Sequence, residues 1–253
     1  MKNLWKALLT VAACAAFSTP AAAQISGFVS LDGPQFGARV GLNYAASLNS
    51  TTTLSAGLRY NLYISPAVPS DASVFVGLRA DLSPTFSVGA RVIAGLSNIG
   101  AGNNFSLTLR PAATLLLLSS NTFAVAATLT LNAPVVPTFQ LQPWLAIDAT
   151  YLSGPLQVDF GAEVDFTVVP GFSFDGLYGY VHAGYQLSDR LGLFGGAGFA
   201  YAGGSFGLSS VYGADYRGVY GGVNFGLSNA ITLRGVVGYF NGFTFTVTAA
   251  FSL

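Results

Sequence analysis

The chain has 253 residues, ten cations against ten anions, and only 8% charged residues. Soluble domains carry about 25%, and a mean hydropathy of +0.56 is too apolar for an ordinary soluble surface. With one cysteine and one histidine, the chain has no disulfide framework and no Cys/His metal cluster, and it shows neither a phosphate-cradling loop nor the basic patch of a nucleic-acid binder.

The first segment reads as an export signal. Lys2 and Lys6 precede the apolar run from Ala7 to Phe17, and Pro20 leads into Ala21, Ala22 and Ala23, a small-residue cleavage site. Residues 1–23 are expected to be removed, leaving 24–253 as one domain. A second reading takes Val11-Ala12-Ala13-Cys14 as a lipoprotein cleavage box with Cys14 lipidated. Cleavage after Ala23 removes Cys14 and both lysines, so the remaining cations are arginines and His182.

Beyond the signal no apolar run approaches the roughly 18 residues of a helical span. Apolar residues instead recur at every second position. Phe36, Ala38, Val40, Leu42, Tyr44, Ala46 and Leu48 alternate with small or polar residues. So do Leu54 to Ile64, Phe86 to Leu96, and Leu156 to Phe166. Period two is the signature of a strand, whose successive side chains point to opposite faces. Such runs are about twice the five or six residues of common soluble strands, and match the 9 to 11 of a tilted membrane strand.

In chain order the expected strands are 25–31, 36–48, 53–64, 72–82, 85–97, 105–117, 122–132, 138–151, 156–168, 176–187, 190–202, 216–227, 231–240 and 243–253. That is about fourteen, with twelve as the alternative. Leu82-Ser83-Pro84, Leu118-Ser119-Ser120, Leu152-Ser153-Gly154, Leu187-Ser188-Asp189 and Leu227-Ser228-Asn229 mark tight turns at alternate junctions. The other junctions are longer, above all Gly203 to Tyr216. Pro111 and Pro143 lie inside runs and lack a ladder donor, so local bulges are expected there.

The signal, the meander of long strands, the turn asymmetry and the amphipathic last strand (Phe243, Phe245, Val247, Ala249, Phe251, Leu253) resemble the bacterial outer-membrane β-barrel, or porin-like, class across the whole mature chain. The resemblance implies an all-β fold, an antiparallel up-and-down transmembrane β-barrel. It further implies outer-membrane lipid and the barrel-assembly machinery as partners, short turns in the periplasm and long loops outside. Ending on Leu253, with Phe251 two places earlier, departs from the terminal aromatic common in that class. The rival fold is a soluble β-sandwich, but its polar face should be rich in Lys, Glu and Asp. Here that face is mostly Gly, Ser, Thr, Asn and Ala.

If the apolar parity faces lipid, the other faces the lumen. Arg39, Arg59, Arg79, Arg91 and Arg110 have inward parity on five successive strands, and Asp148, Asp159, Glu163 and Asp165 on two later ones. These nine residues with His182 are the expected pore lining, with a basic arc and an acidic arc. Arg59, Arg91 and Arg110 are expected to face Glu163 and Asp165 near mid-height. An equal reading is that Arg–carboxylate pairs brace and fill the lumen. Tyr178, Tyr180, Phe194, Tyr220 and Phe240 read as packing over inward glycines, or as a stacking surface for sugars or apolar solutes.

His182 is expected roughly opposite Glu163, two thirds of a hydrolase triad with no third member in place. No catalytic, cofactor or metal site is therefore expected. The function implied is passive passage of small hydrophilic solutes or ions. The alternative is a structural, envelope-anchoring barrel with a blocked lumen, and a membrane hydrolase is the minor one.

Overall fold

The computed structural model describes residues 23–33, 37–63, 70–99, 102–208, 218–239 and 243–252. The export signal before Ala23, the residues Phe36, Ile64, Phe240 and Leu253, and the later part of the expected loop to Tyr216 lie outside the described residues. From Ala23 onward, alternation becomes strand at almost every expected place. The strands are β1 (Ala23–Gly33), β2 (Gly37–Ser47), β3 (Thr52–Tyr63), β4 (Ser70–Ser83), β5 (Phe86–Ile99), β6 (Asn104–Ser119), β7 (Phe123–Val136) and β8 (Gln142–Ser153). They continue as β9 (Leu156–Thr167), β10 (Ser173–Gln186), β11 (Leu191–Ala202), β12 (Ser205–Leu208), β13 (Val219–Gly226), β14 (Ile231–Tyr239) and β15 (Phe243–Ser252).

Every ladder is antiparallel. Each strand pairs with its neighbour in sequence, except that β13 pairs with β11 rather than β12, and β15 returns to pair with β1. Among the described residues fourteen strands make the wall. The fifteenth, β12, doubles back on the upper end of β11 through Gly203 and Gly204, both with positive φ, while β13 pairs with the lower end. The stretch from Gly203, expected as plain loop, thus opens with a short hairpin.

The ladder registers set the shape. Following partners once around the ring returns to β1 about 18 residues further along, which corresponds to a strand tilt of about 40°. For a circular section, that stagger and a spacing near 4.8 Å give a backbone ring about 28 Å across.

The two faces separate by parity. Ser30, Arg39, Ser87, Thr130, Asn132, Asp159, Thr246 and Thr248 are buried, and all lie on the inner, concave parity. On the outer parity large apolar side chains stand exposed, including Val40, Leu42, Leu78, Val92, Leu145, Ile147, Phe160 and Val223. Aromatic residues sit on the same face near strand ends, as Phe86, Phe105, Tyr151, Tyr185, Tyr201 and Tyr239 do, in the manner of interfacial girdles. No helix among the described residues is long and apolar enough to cross a membrane, which says nothing of strands.

Serines close the turns at one end. The Ser83 Oγ accepts from the Phe86 amide at 3.0 Å, Ser120 Oγ from Phe123 at 3.0 Å, and Ser188 Oγ from Leu191 at 3.2 Å. These side chains replace ladder bonds that a tight turn cannot supply. The bulges expected at the two prolines are absent. At Arg110-Pro111 the β6–β7 ladder breaks, yet the register on either side is the same. Pro143 stands just before the first residue of the β8–β9 ladder. A proline lacks only one donor, so a missing rung or a ladder end accommodates it without an inserted residue. Register shifts occur elsewhere, as between Leu116 and Leu118 and between Phe174 and Gly176.

Candidate functional site in the barrel lumen

The ten residues expected to line a pore all carry inner parity in the structure, because each shares its face with a buried polar neighbour or an inner-face contact. Their heights follow from the registers. Arg39, Arg59, Arg91, Arg110 and Glu163 fall within a band about 6 Å tall near mid-height. Asp165 lies slightly above it; Arg79, Asp148 and Asp159 lie below.

Position around the ring corrects the expected pairing of arcs. Counted along the wall, β9 is seven places from β2, half of fourteen, so Glu163 stands across from Arg39. Arg59 is six places from it, Arg91 four and Arg110 three. Arg91 and Arg110 therefore flank the acidic arc rather than face it. Alternation fixes face and height within a hairpin, but angular position depends on how many strands close the ring.

The basic side is built on rings. The Arg59 guanidinium lies 5.8 Å from the Phe28 ring centroid, Arg91 4.4 Å from Phe75, and Arg110 5.0 Å from Trp144. Arg110 also donates from Nε and Nη2 to Asn132 Oδ1 at 3.2 and 3.0 Å. Arg79 makes an ion pair with Asp81 at 3.0 Å and stays 63% exposed. Arg59 and Arg91 are exposed too, although they point inward. Among the described residues, then, three of the inward cations keep accessible guanidiniums.

Acids on the opposite side are held by neutral donors. Tyr180 donates to Asp148 at 2.6 Å, passing over Gly161 of the strand between them. Thr150 and Gln157 donate to Asp159 at 2.7 and 2.8 Å, and Thr167 donates to Asp175 at 2.6 Å.

His182 does not pair with Glu163. Its cross-strand partner is Asp159, and Tyr178 is the residue opposite Glu163. The β9–β10 hairpin turns at Pro170-Gly171, about two residues earlier than the pattern suggested, which moves every pair in the hairpin. The His182 Nδ1 lies 2.8 Å from the Tyr220 hydroxyl, and its ring lies 5.8 Å from Tyr220 and 5.7 Å from Phe194. Gly196 makes room for this contact: a Cβ there would strike the Val181 carbonyl and the Tyr220 hydroxyl. The inward aromatics thus pack over inward glycines.

Several lumen residues escaped the sequence reading. Arg234 has inner parity on β14, donates to Asn224 at 2.8 Å and lies over Phe194. Its alternation with Ile231, Leu233 and Val237 carried that signal. Asn132, Gln142 and Trp144 matter through the company they keep across β6, β7 and β8, which no local pattern encodes.

No family model and no curated protein matches the chain. Solved structures do. The CymD monoaromatic hydrocarbon channel is similar at a TM-score of 0.54 and 9% identity, over 91% of this chain and 86% of that one. The toluene transporter TbuX of Ralstonia pickettii gives 0.54 at 10% identity, over 91% and 88%. CdiB from Acinetobacter baumannii gives 0.56 at 8% identity, over 91% of this chain and 60% of that one. At such identities the likeness is one of fold: a closed, antiparallel β-barrel.

Proposed function

We propose that the protein is a channel in a bacterial outer membrane that passes small hydrophilic solutes or ions passively. One observation carries this reading: Arg59, Arg79 and Arg91 point into the barrel and remain exposed. Fourteen strands lie between the eight whose interior side chains fill and the 16 to 18 that leave an aqueous channel. The outer apolar face suits lipid, and the mature domain from Gln24 suits export and insertion by the assembly machinery. No residue is assigned a catalytic role.

Magnitudes decide what the two charged arcs do. Across a ring about 28 Å wide, with side chains reaching in from both walls, the arcs stand more than one Debye length apart, about 8 Å at physiological salt. Each arc therefore acts mainly on ions passing beside it, and coupling between arcs grows only at low salt. The arginines exceed the acids in the mid-height band, which favours anions there.

The test is ion conductance of the purified protein in a planar bilayer, with the reversal potential under a salt gradient. A steady conductance with a modest anion preference is expected. Absence of conductance would favour the structural, blocked-lumen alternative. For orientation, an epitope tag near Ser209 should be stained on intact cells and a tag at Ser119 only after permeabilisation. The opposite pattern would invert the barrel.

A second reading, passage of apolar or sugar solutes over an aromatic surface, is favoured by the inward, half-buried Tyr178 and Tyr180. It predicts that neutral sugars swell proteoliposomes faster than charged solutes of equal size.

A further inference from the structure

Arg91 and Arg110 are direct cross-strand partners on the inner face of β5 and β6. Same-sign charges at directly opposed positions destabilise a sheet, so the pair calls for a partner of opposite charge. Among the described residues neither guanidinium is paired with a carboxylate. What touches them is neutral and orienting. Phe75 and Trp144 lie under the two guanidinium planes. Asn132 takes two hydrogen bonds from Arg110, donates to Gln142 Oε1 at 2.8 Å, and Gln142 donates on to Gln140 Oε1 at 2.9 Å. Asn132 is buried, so this chain of amides fixes the Arg110 fork before anything binds. A cavity of about 250 Å³ is lined by both arginines together with Ser55, Thr114, Thr130 and Trp144. With its Nε and Nη2 engaged by Asn132, Arg110 still presents Nη1; together with the exposed Arg91 guanidinium and the neighbouring hydroxyls it matches an oxyanion, which accepts several charge-assisted bonds at once.

We propose that Arg91 and Arg110 form a saturable binding site for an oxyanion group, carboxylate or phosphate, carried by a small solute in the lumen. Asn132 and Gln142 are positioning residues for it. The proposal rests on the channel reading only for how the anion arrives; the binding stands without it.

Trp144 provides a readout independent of current. The chain has two tryptophans, Trp5 and Trp144, and Trp5 belongs to the expected signal, so emission of the mature barrel reports on the ring beneath Arg110. The folded barrel in detergent is titrated with sodium phosphate and, separately, sodium acetate at constant ionic strength, with sodium chloride as reference. A saturable change is expected with at least one of the two oxyanions and not with chloride. Saturation by phosphate alone or by acetate alone identifies the group. Arg91→Gln should weaken binding about tenfold or more, the worth of one charge-assisted hydrogen bond. Arg91→Lys keeps the charge but loses the fork, and should recover only part of the affinity. Arg190→Gln removes a cation from a turn and should leave binding unchanged. Heat-modified mobility on a gel verifies that each variant is folded. A response equal to that of chloride, or undiminished in folded Arg91→Gln, would overturn the proposal. Saturable binding in a barrel that carries no current would uphold the site while removing the channel reading; current without saturable binding would do the reverse.

Discussion

The wall from β2 to β6 and the wall from β8 to β11 solve the same problem in opposite ways. Both hold charged side chains inside a barrel. On the first, three guanidiniums lie on aromatic rings, and Arg59 and Arg91 remain exposed. On the second, Asp148 and Asp159 are tied to hydroxyl and amide donors from neighbouring strands. Cations thus lean on ring faces while anions accept from neutral donors. Among these residues charge stays separated around the ring, and the ion pair of Arg79 with Asp81 joins two residues of one strand. Arginine–carboxylate pairs reaching from one wall to the other would have cancelled that separation.

The largest expected effect comes from moving the chemistry of the arginine wall to the wrong face. Val92→Arg places a cation on the exposed outer parity near mid-height, at a cost of roughly 2 to 4 kcal/mol, whereas Arg91→Ala changes only the lumen. Refolding yield into lipid vesicles should fall sharply for the first and little for the second. Equal yields would undo the assignment of faces.

Next comes the aromatic wall, which depends on small residues beneath its rings. Gly196→Val should destabilise the barrel by about 1 to 3 kcal/mol through overpacking against Val181 and Tyr220. Denaturant titration would detect it, and an unchanged midpoint would mean that Tyr220 can move aside freely.

Replacing Arg59, Arg91 and Arg110 with Ser should shift the reversal potential towards cations, and replacing Glu163 and Asp165 with Ser should shift it towards anions. Both shifts should shrink between 0.01 M and 1 M salt, as the Debye length falls from about 30 Å to about 3 Å. Unchanged selectivity in both variants would remove these residues from the ion path. The smallest effect is expected from Tyr180→Phe, which takes one donor from Asp148 and should cost about 1 to 2 kcal/mol with little change in current. A loss of current there would make this contact part of a constriction.

The sequence carried the strands, their faces and their number because a lipid-facing wall demands strict alternation over long runs. Val40 and Arg39, or Val92 and Arg91, sort themselves by parity alone. The positions of Arg91 and Arg110 relative to Glu163 did not follow, because angular position is a property of the closed ring. Alternation alone sets His182 against the wrong carboxylate, because a turn displaced by two residues shifts every pair in its hairpin. The Asn132–Gln142 support of Arg110 joins three strands and leaves no mark in any one of them. Pro111 and Pro143 show the limit of a local rule: a missing donor is a fact of sequence, but whether a bulge or a missing rung absorbs it depends on the neighbouring ladder.

One pairing differs in kind from all the others. The ladder between β1 and β15 joins residues at opposite ends of the described chain, with Gln24 donating to Ser252 at 2.7 Å and Thr248 to Ser30 at 3.0 Å across a sequence separation of 218. Every other wall ladder joins strands that follow one another along the chain, with only the short β12 between β11 and β13. Hairpins gain their contacts after closing only a short loop, while this pairing pays the loop-closure entropy of almost the whole chain. The curled sheet can therefore form hairpin by hairpin and stay open until its last strand meets its first. On this topology closure is expected to be the slow step of folding, and destabilising changes at Ser30, Thr246 or Thr248 should slow it while leaving the earlier hairpins untouched.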